Sequence, residues 1–122
     1  MPPSFDKSLP LSPATLHILL SLAGEDLHGY GIMQEIARQS QGRYKLGPGT
    51  LYDNLQKLIH RDWVKELGSR PDDDDPRRRY YRLTSAGHGV LEAETQRLAT
   101  VVREARSRLQ AGKSSIAKPR RA

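Results

Sequence analysis

The chain has 122 residues, room for one small domain. Lys and Arg number 20 against 14 Asp and Glu, a formal charge of +6 that favours a polyanionic partner. The absence of cysteine excludes a disulfide scaffold, a Cys-based zinc site and a thiol nucleophile. Apolar residues make up only 36%, so a core built from one copy is thin and a dimer that shares its core fits the composition. The opening MPPSFDKSLPLS lacks the basic stretch and long apolar run of a secretory signal, and the longest apolar run, Ile18 to Leu20, is far short of a membrane span. A cytoplasmic chain without a membrane partner is expected. The charge is uneven: residues 1–37 carry one base and four acids, 38–82 carry 11 and seven, and 83–122 carry eight and three. Four of the middle acids form one run, Asp72 to Asp75.

Residues 1–11 hold three prolines without periodicity and read as a flexible arm. Ser12-Pro13 opens a first helix, since Ser caps well and Pro suits the first helical position. Leu16, Leu19, Leu20 and Ala23 follow at helical spacing, with Ile18 and Leu22 widening the stripe, and Gly24 suits its end. Residues 25–29 read as a short connection. A second helix covers about residues 30–40, with Ile32, Met33, Ile36 and Ala37 as its apolar stripe. Gly47-Pro48-Gly49 breaks the chain before a third helix over about residues 50–61. Leu51, Leu55, Leu58 and Ile59 form its apolar side. Three helices joined by short turns suggest a helix-turn-helix module.

The pattern then changes. Residues 63–67 and 79–83 read as two strands around a turn-rich charged loop, a β-hairpin wing. Thr84 caps a long helix over residues 85–111. In it Leu91, Leu98 and Ala105 recur every seven residues, and Thr95, Val102 and Leu109 take the companion position. Residues 112–122 read as a basic disordered tail. The expected fold is therefore mainly α with a β-hairpin: a winged helix-turn-helix over residues 12–84 plus a C-terminal helix.

No catalytic constellation stands out. The four histidines fall in separate segments, the only carboxylate cluster sits beside three arginines, and no phosphate-cradling glycine motif occurs. No enzyme activity, metal or cofactor is expected. The third helix is more informative. A recognition helix needs one apolar face for docking and a second face of long polar side chains for DNA. Gly49, Thr50, Tyr52, Asp53, Asn54 and Lys57 supply that second face. Asn54 can pair with adenine, Lys57 can meet phosphate or guanine, and Tyr52 can reach a phosphate or a thymine methyl. Gly49 and Thr50 add backbone N–H groups at a helix start, which suits phosphate. Arg70, Arg77, Arg78 and Arg79 suit backbone or minor-groove contacts from the wing. The competing readings are a solvated helix face, with Tyr52 in the core, and a charge run that merely balances Asp72 to Asp75.

Three motifs, in order, are His28-Gly29-Tyr30-Gly31-Ile32, Gly47-Pro48-Gly49-Thr50-Leu51-Tyr52 and Arg79-Tyr80-Tyr81-Arg82-Leu83-Thr84. With them, residues 12–110 resemble the PadR family of bacterial winged-helix transcriptional regulators, in its short form with a single C-terminal helix. The resemblance implies a homodimer that binds a pseudo-palindromic operator in double-stranded DNA, usually as a repressor. It maps Thr50, Tyr52, Asn54 and Lys57 onto the recognition helix and Arg77 to Arg79 onto the wing. It makes the C-terminal helix the dimerisation element, through Leu91, Leu98, Val102, Ala105 and Leu109. Some short members bind planar drugs between protomers with an aromatic of that helix; this helix has none, so a small-molecule effector is left open. The alternative from another class is a winged-helix protein–protein adaptor that does not read DNA.

Overall fold

The computed structural model describes residues 5–69, 75 and 77–116. A 3-10 turn at Asp6–Ser8 precedes α1 (Pro13–Leu22), β1 (Leu27–His28), α2 (Gly29–Gln39), α3 (Pro48–His60), β2 (Val64–Gly68), β3 (Tyr80–Leu83) and α4 (Ser85–Ile116). The strands form one antiparallel sheet in the order β1-β3-β2. The mainly helical winged-helix class is therefore present, with one strand more than the expected hairpin. Residues 25–29 are not all connection: Leu27 and His28 pair with Tyr81 and Tyr80.

Local chemistry explains most boundaries. The Ser12 hydroxyl accepts from the Thr15 N–H and caps α1, with Pro13 in the first turn. The Thr84 hydroxyl accepts from the Gly87 N–H and donates to the Asp62 carbonyl, capping α4 while holding the preceding turn. α2 uses an unusual cap: Nδ1 of His28 accepts from the Gly31 N–H at 3.0 Å. His28 is thus both the last residue of β1 and the cap of α2. Gly68, at φ +78, sits where β2 slips register against β3, a bulge that needs the left-handed conformation.

The core lies where the three short helices meet the sheet. Ile18 and Leu19 of α1, Ile32 and Ile36 of α2, and Leu51 and Leu55 of α3 are fully buried, and Val64, Tyr81 and Val90 close it. Leu91 belongs here too, at 8% exposure. Its expected place in a dimer interface is corrected: the heptad repeat runs into the domain's own core before it reaches the free part of the helix. α4 starts very close to β2. A Cβ on Gly87 would overlap the Trp63 carbonyl, so only glycine permits this approach.

Two more expectations change. The described part of the arm is docked, with Phe5, Leu9 and Leu11 packed on the core and the Phe5 ring against Gly89. The Leu11 N–H donates to Glu94 at 2.8 Å. α4 also continues past residue 111 to Ile116, into the segment expected as tail; residues 1–4 and 117–122 lie outside the described residues. Among the described residues no helix is long and apolar enough to cross a membrane.

Glu94 is 1% exposed and takes both Arg97 and the Leu11 N–H. The hydrogen bond from Arg97 first, and that from Leu11, hold its carboxyl below its ordinary value of 4.5, against the upward push of burial. A depressed carboxylate stabilises the fold fully above its unfolded pKa and loses that contribution as pH falls through the folded value. Wild type should therefore lose stability in urea as pH drops below about 4.5. Glu94→Gln should cost about 1–3 kcal/mol at neutral pH and flatten that acid limb. An acid limb of equal slope in both proteins would contradict the assignment.

Candidate nucleic-acid interface

The connection from α2 to α3 is pinned. The Ser40 hydroxyl donates to the Tyr44 carbonyl and accepts from the Tyr44 N–H, both at 3.0 Å. Tyr44 stacks on His17 of α1 with centroids 4.9 Å apart. These contacts set the angle at which α3 leaves the other helices. Gly47 caps α3 without a side-chain hydrogen bond, and Pro48 follows in its first turn.

Leu51, Leu55 and Leu58 point α3 inward. With 3.6 residues per turn, the opposite side holds Gly49, Asp53, Gln56, Lys57 and His60; all five are exposed. Thr50 is exposed beside them. Gln56 and His60 also read from the sequence as part of the polar face, but they were not among the residues expected to contact DNA.

Tyr52 and Asn54 lie on opposite flanks of α3. Tyr52 is 44% exposed, and its hydroxyl lies where a Cβ of Gly29 would be. It therefore docks α3 on the start of α2 as well as facing outward. Asn54 is half-buried, and its Nδ2 donates back to the Thr50 carbonyl at 2.8 Å. One of its two amide N–H groups is at least partly committed to its own helix, which leaves its oxygen as the freer end.

The wing arrives on the Tyr52 flank. Arg77, Arg78 and Arg79 join Tyr30, Tyr52 and Tyr81 around an open recess of about 230 Å³. Tyr30, 59% exposed on the first turn of α2, was not among the site residues expected from the sequence. Arg70 and Asp72 to Asp74 lie outside the described residues. Of the acidic run, Asp75 folds onto the arginines. It accepts from the Arg77 N–H at 2.9 Å and from the Arg77 side chain at 3.3 Å. The Arg77 N–H, and then its guanidinium, hold this carboxyl below its usual range. Arg79 faces Glu66 across the hairpin at 3.7 Å. On the central strand, Arg82 grips Asp26 through two hydrogen bonds of 3.0 and 2.8 Å, tying β3 to the turn before β1.

This arrangement brings three consecutive arginines beside the first half of a polar-faced helix. Closely spaced cations match a phosphate chain, and the outward amide, carboxylate and ammonium of α3 can address base edges. Among the described residues no group of three or more His, Cys, Asp or Glu could hold a metal ion. On α4, Leu98 is half-buried and Val102, Ala105 and Leu109 are exposed, Leu109 at 68%. They form one stripe beyond the domain.

The Tyr52–Gly29 contact can be measured. Gly29→Ala should destabilise the wild type by about 1–3 kcal/mol, because the new methyl meets the phenol. In a Tyr52→Ala background most of that cost should vanish. A double-mutant cycle in urea should return a coupling of about 1 kcal/mol or more; additive effects would mean that the two residues do not bear on each other.

Residues 18–93 match the model of the transcriptional regulator PadR-like family. The transcriptional regulator Rv3488 of Mycobacterium tuberculosis is 36% identical over 89 residues, which take in 73% of this chain and 78% of that protein. An uncharacterised 37.1 kDa protein in transposon TN4556 of Streptomyces fradiae is 37% identical over 86 residues, but the match spans only 23% of its length. Among solved structures, a PadR family transcription regulator from Clostridium difficile R20291 aligns at a TM-score of 0.66 and 28% identity, over 80% of this chain and 99% of that one. Bacillus subtilis PadR in complex with operator DNA shares the fold at a TM-score of 0.60 and 20% identity, over 69% of this chain and 47% of that one. The chain belongs to the PadR-like family of transcriptional regulators.

Proposed function

We propose that this chain is a homodimeric, sequence-specific DNA-binding regulator that works in the cytoplasm, as a repressor that occludes its operator, and that a small-molecule effector can relieve it. The observation that carries the reading is the convergence of Arg77 to Arg79 on the flank of α3 that bears Tyr52. The solved operator complex of Bacillus subtilis PadR, a protein of the same fold, supports it. In this reading Gly49, Thr50, Tyr52, Asp53, Asn54 and Lys57 enter the major groove with Gln56. Lys57 supplies charge, and Gln56 and Asn54 offer amides that suit adenine. Asp53 can accept only from a donor such as the cytosine or adenine amine, so it acts against guanine and thymine. Arg77 to Arg79, with Arg70, follow the backbone.

Two copies pair through Leu98, Val102, Ala105 and Leu109, which sets the two α3 helices roughly 34 Å apart on successive major grooves. Residues 99–111 of α4 touch little of their own domain, and every one is exposed. A helix with an apolar stripe and no partner is stabilised by gaining one. Leu109→Glu should give a monomer in sedimentation. Burying one leucine is worth about 1.5–3 kcal/mol and two-fold symmetry counts it twice. A Leu109→Glu protein that still sediments as a dimer would remove α4 from the interface.

The DNA reading is tested by gel shift with DNA from the chain's own promoter region and a random-sequence control. Affinity should fall by orders of magnitude between roughly 50 and 200 mM salt. Changing Arg77, Arg78 and Arg79 together to Gln should weaken binding to every sequence. The slope of log affinity against log salt should fall by about one for each phosphate that is no longer neutralised. No shift with either DNA would favour the protein–protein adaptor instead.

A further inference from the structure

The recess between α3 and the wing already holds an anion of the chain's own. Asp75 is the one carboxylate among the described residues that line it, beside Arg77, Arg78, Arg79 and the phenols of Tyr30 and Tyr52. Its Oδ1 accepts from the backbone N–H of Arg77 at 2.9 Å and from Nε of the same residue at 3.3 Å. The Arg78 N–H donates to the Asp75 carbonyl at 3.1 Å, so the carboxylate is held at the turn that starts the arginine run. A backbone N–H and a guanidinium that converge on one oxygen are also what a phosphate takes from a protein. Carboxylate and phosphate therefore need the same donors. The Arg77 side chain is 90% exposed and that of Asp75 36%, so the pair is open to water and to exchange of one anion for another. Exposed ion pairs are weak, and a polymer that brings a row of phosphates gains several contacts while breaking one such pair.

We propose that Asp75 occupies the place of a phosphate in this recess, and that a phosphate chain must displace it to reach Arg77. Displacement costs the same whatever the bases, since only the backbone of the nucleic acid is involved. Asp75 therefore lowers affinity for every sequence by one common factor and leaves base choice to α3. Three adjacent cations without an anion in their midst would hold any DNA more tightly. The competition with DNA rests on the DNA reading above; the self-occupied phosphate site does not.

The test uses the full chain and two probes, inorganic tripolyphosphate and a random-sequence DNA duplex, at roughly 50 mM salt. Asp75→Asn keeps an oxygen for the Arg77 N–H, and so keeps the turn, but removes the charge. It should tighten binding of both probes roughly threefold to tenfold. In an Arg77→Gln background the same change should have little effect, because the contested guanidinium is gone. In wild type, NMR should show the Arg77 Nε–H and the Asp75 carboxyl carbon shifting together as tripolyphosphate is added. Unchanged affinity for both probes in Asp75→Asn would overturn the proposal. An equal gain with and without Arg77 would also overturn it, since Asp75 would then act as a general charge and not as the occupant of a site. A gain with tripolyphosphate but none with DNA that the chain binds would overturn the competition alone. A chain that binds no DNA would still give the tripolyphosphate series, so failure of the regulator reading and failure of this one are told apart.

Discussion

The backbone of Trp63 is used on both sides. Its N–H donates to the Leu58 carbonyl at the end of α3, and its carbonyl accepts from the Thr84 N–H at the start of α4. Gly87 packs on that same carbonyl with no room for a side chain. The helix that faces DNA in the proposed reading, the first strand of the wing and the helix proposed for dimerisation are therefore fastened to one residue's backbone. Its indole is 6% exposed in the core and carries Arg61 on its face. The distance between two recognition helices in a dimer can be set by the dimer contact only if α3 and α4 hold a fixed relation. Trp63 provides that relation.

A second fastening acts on the other side of α3. Tyr52 rests on Gly29, the first residue of α2, and Gly29 follows directly on β1. β1 in turn pairs with β3, whose other edge pairs with β2. The wing and the helix-turn-helix thus share a sheet and a helix contact, with Arg77 to Arg79 placed where the two meet. Charge is distributed to suit. Asp75 pairs with Arg77 and Glu66 faces Arg79, so the wing's cations are partly offset within the wing itself. Partial offset lowers attraction for any polyanion while leaving geometry to discriminate among them.

Features that depend on neighbours in sequence were legible before the structure. Ser12 and Thr84 cap as expected because a cap needs only a hydroxyl three residues ahead of an N–H. The stripes of α2 and α3 were readable because each faces one core; on α1 the inward face is Ile18, Leu19 and Leu22, whereas Leu20 and Ala23 of the expected stripe are exposed. What escaped depends on residues far apart. Glu94 holds Leu11 across 83 positions of chain, and nothing local marks a glutamate as buried. β1 has two residues, too few to show alternation. Leu91 keeps the heptad phase of Leu98, yet repeat spacing cannot tell a chain's own core from a partner's. Among the site residues, Asn54 and Tyr52 both looked polar and outward in sequence. Only the direction of the apolar face places them on opposite flanks and brings Gln56 to the centre.

His28 ends β1 and caps α2 in the same residue, so no linker separates sheet from helix. A joint without slack leaves few backbone torsions to absorb motion between the sheet and α2, and the Tyr52 contact ties α2 to α3. A protein built this way is poorly suited to regulation by internal hinge motion. In the proposed dimer, the routes left open to a signal are to occupy the surface assigned to DNA or to respace the two domains by acting where their long helices would join.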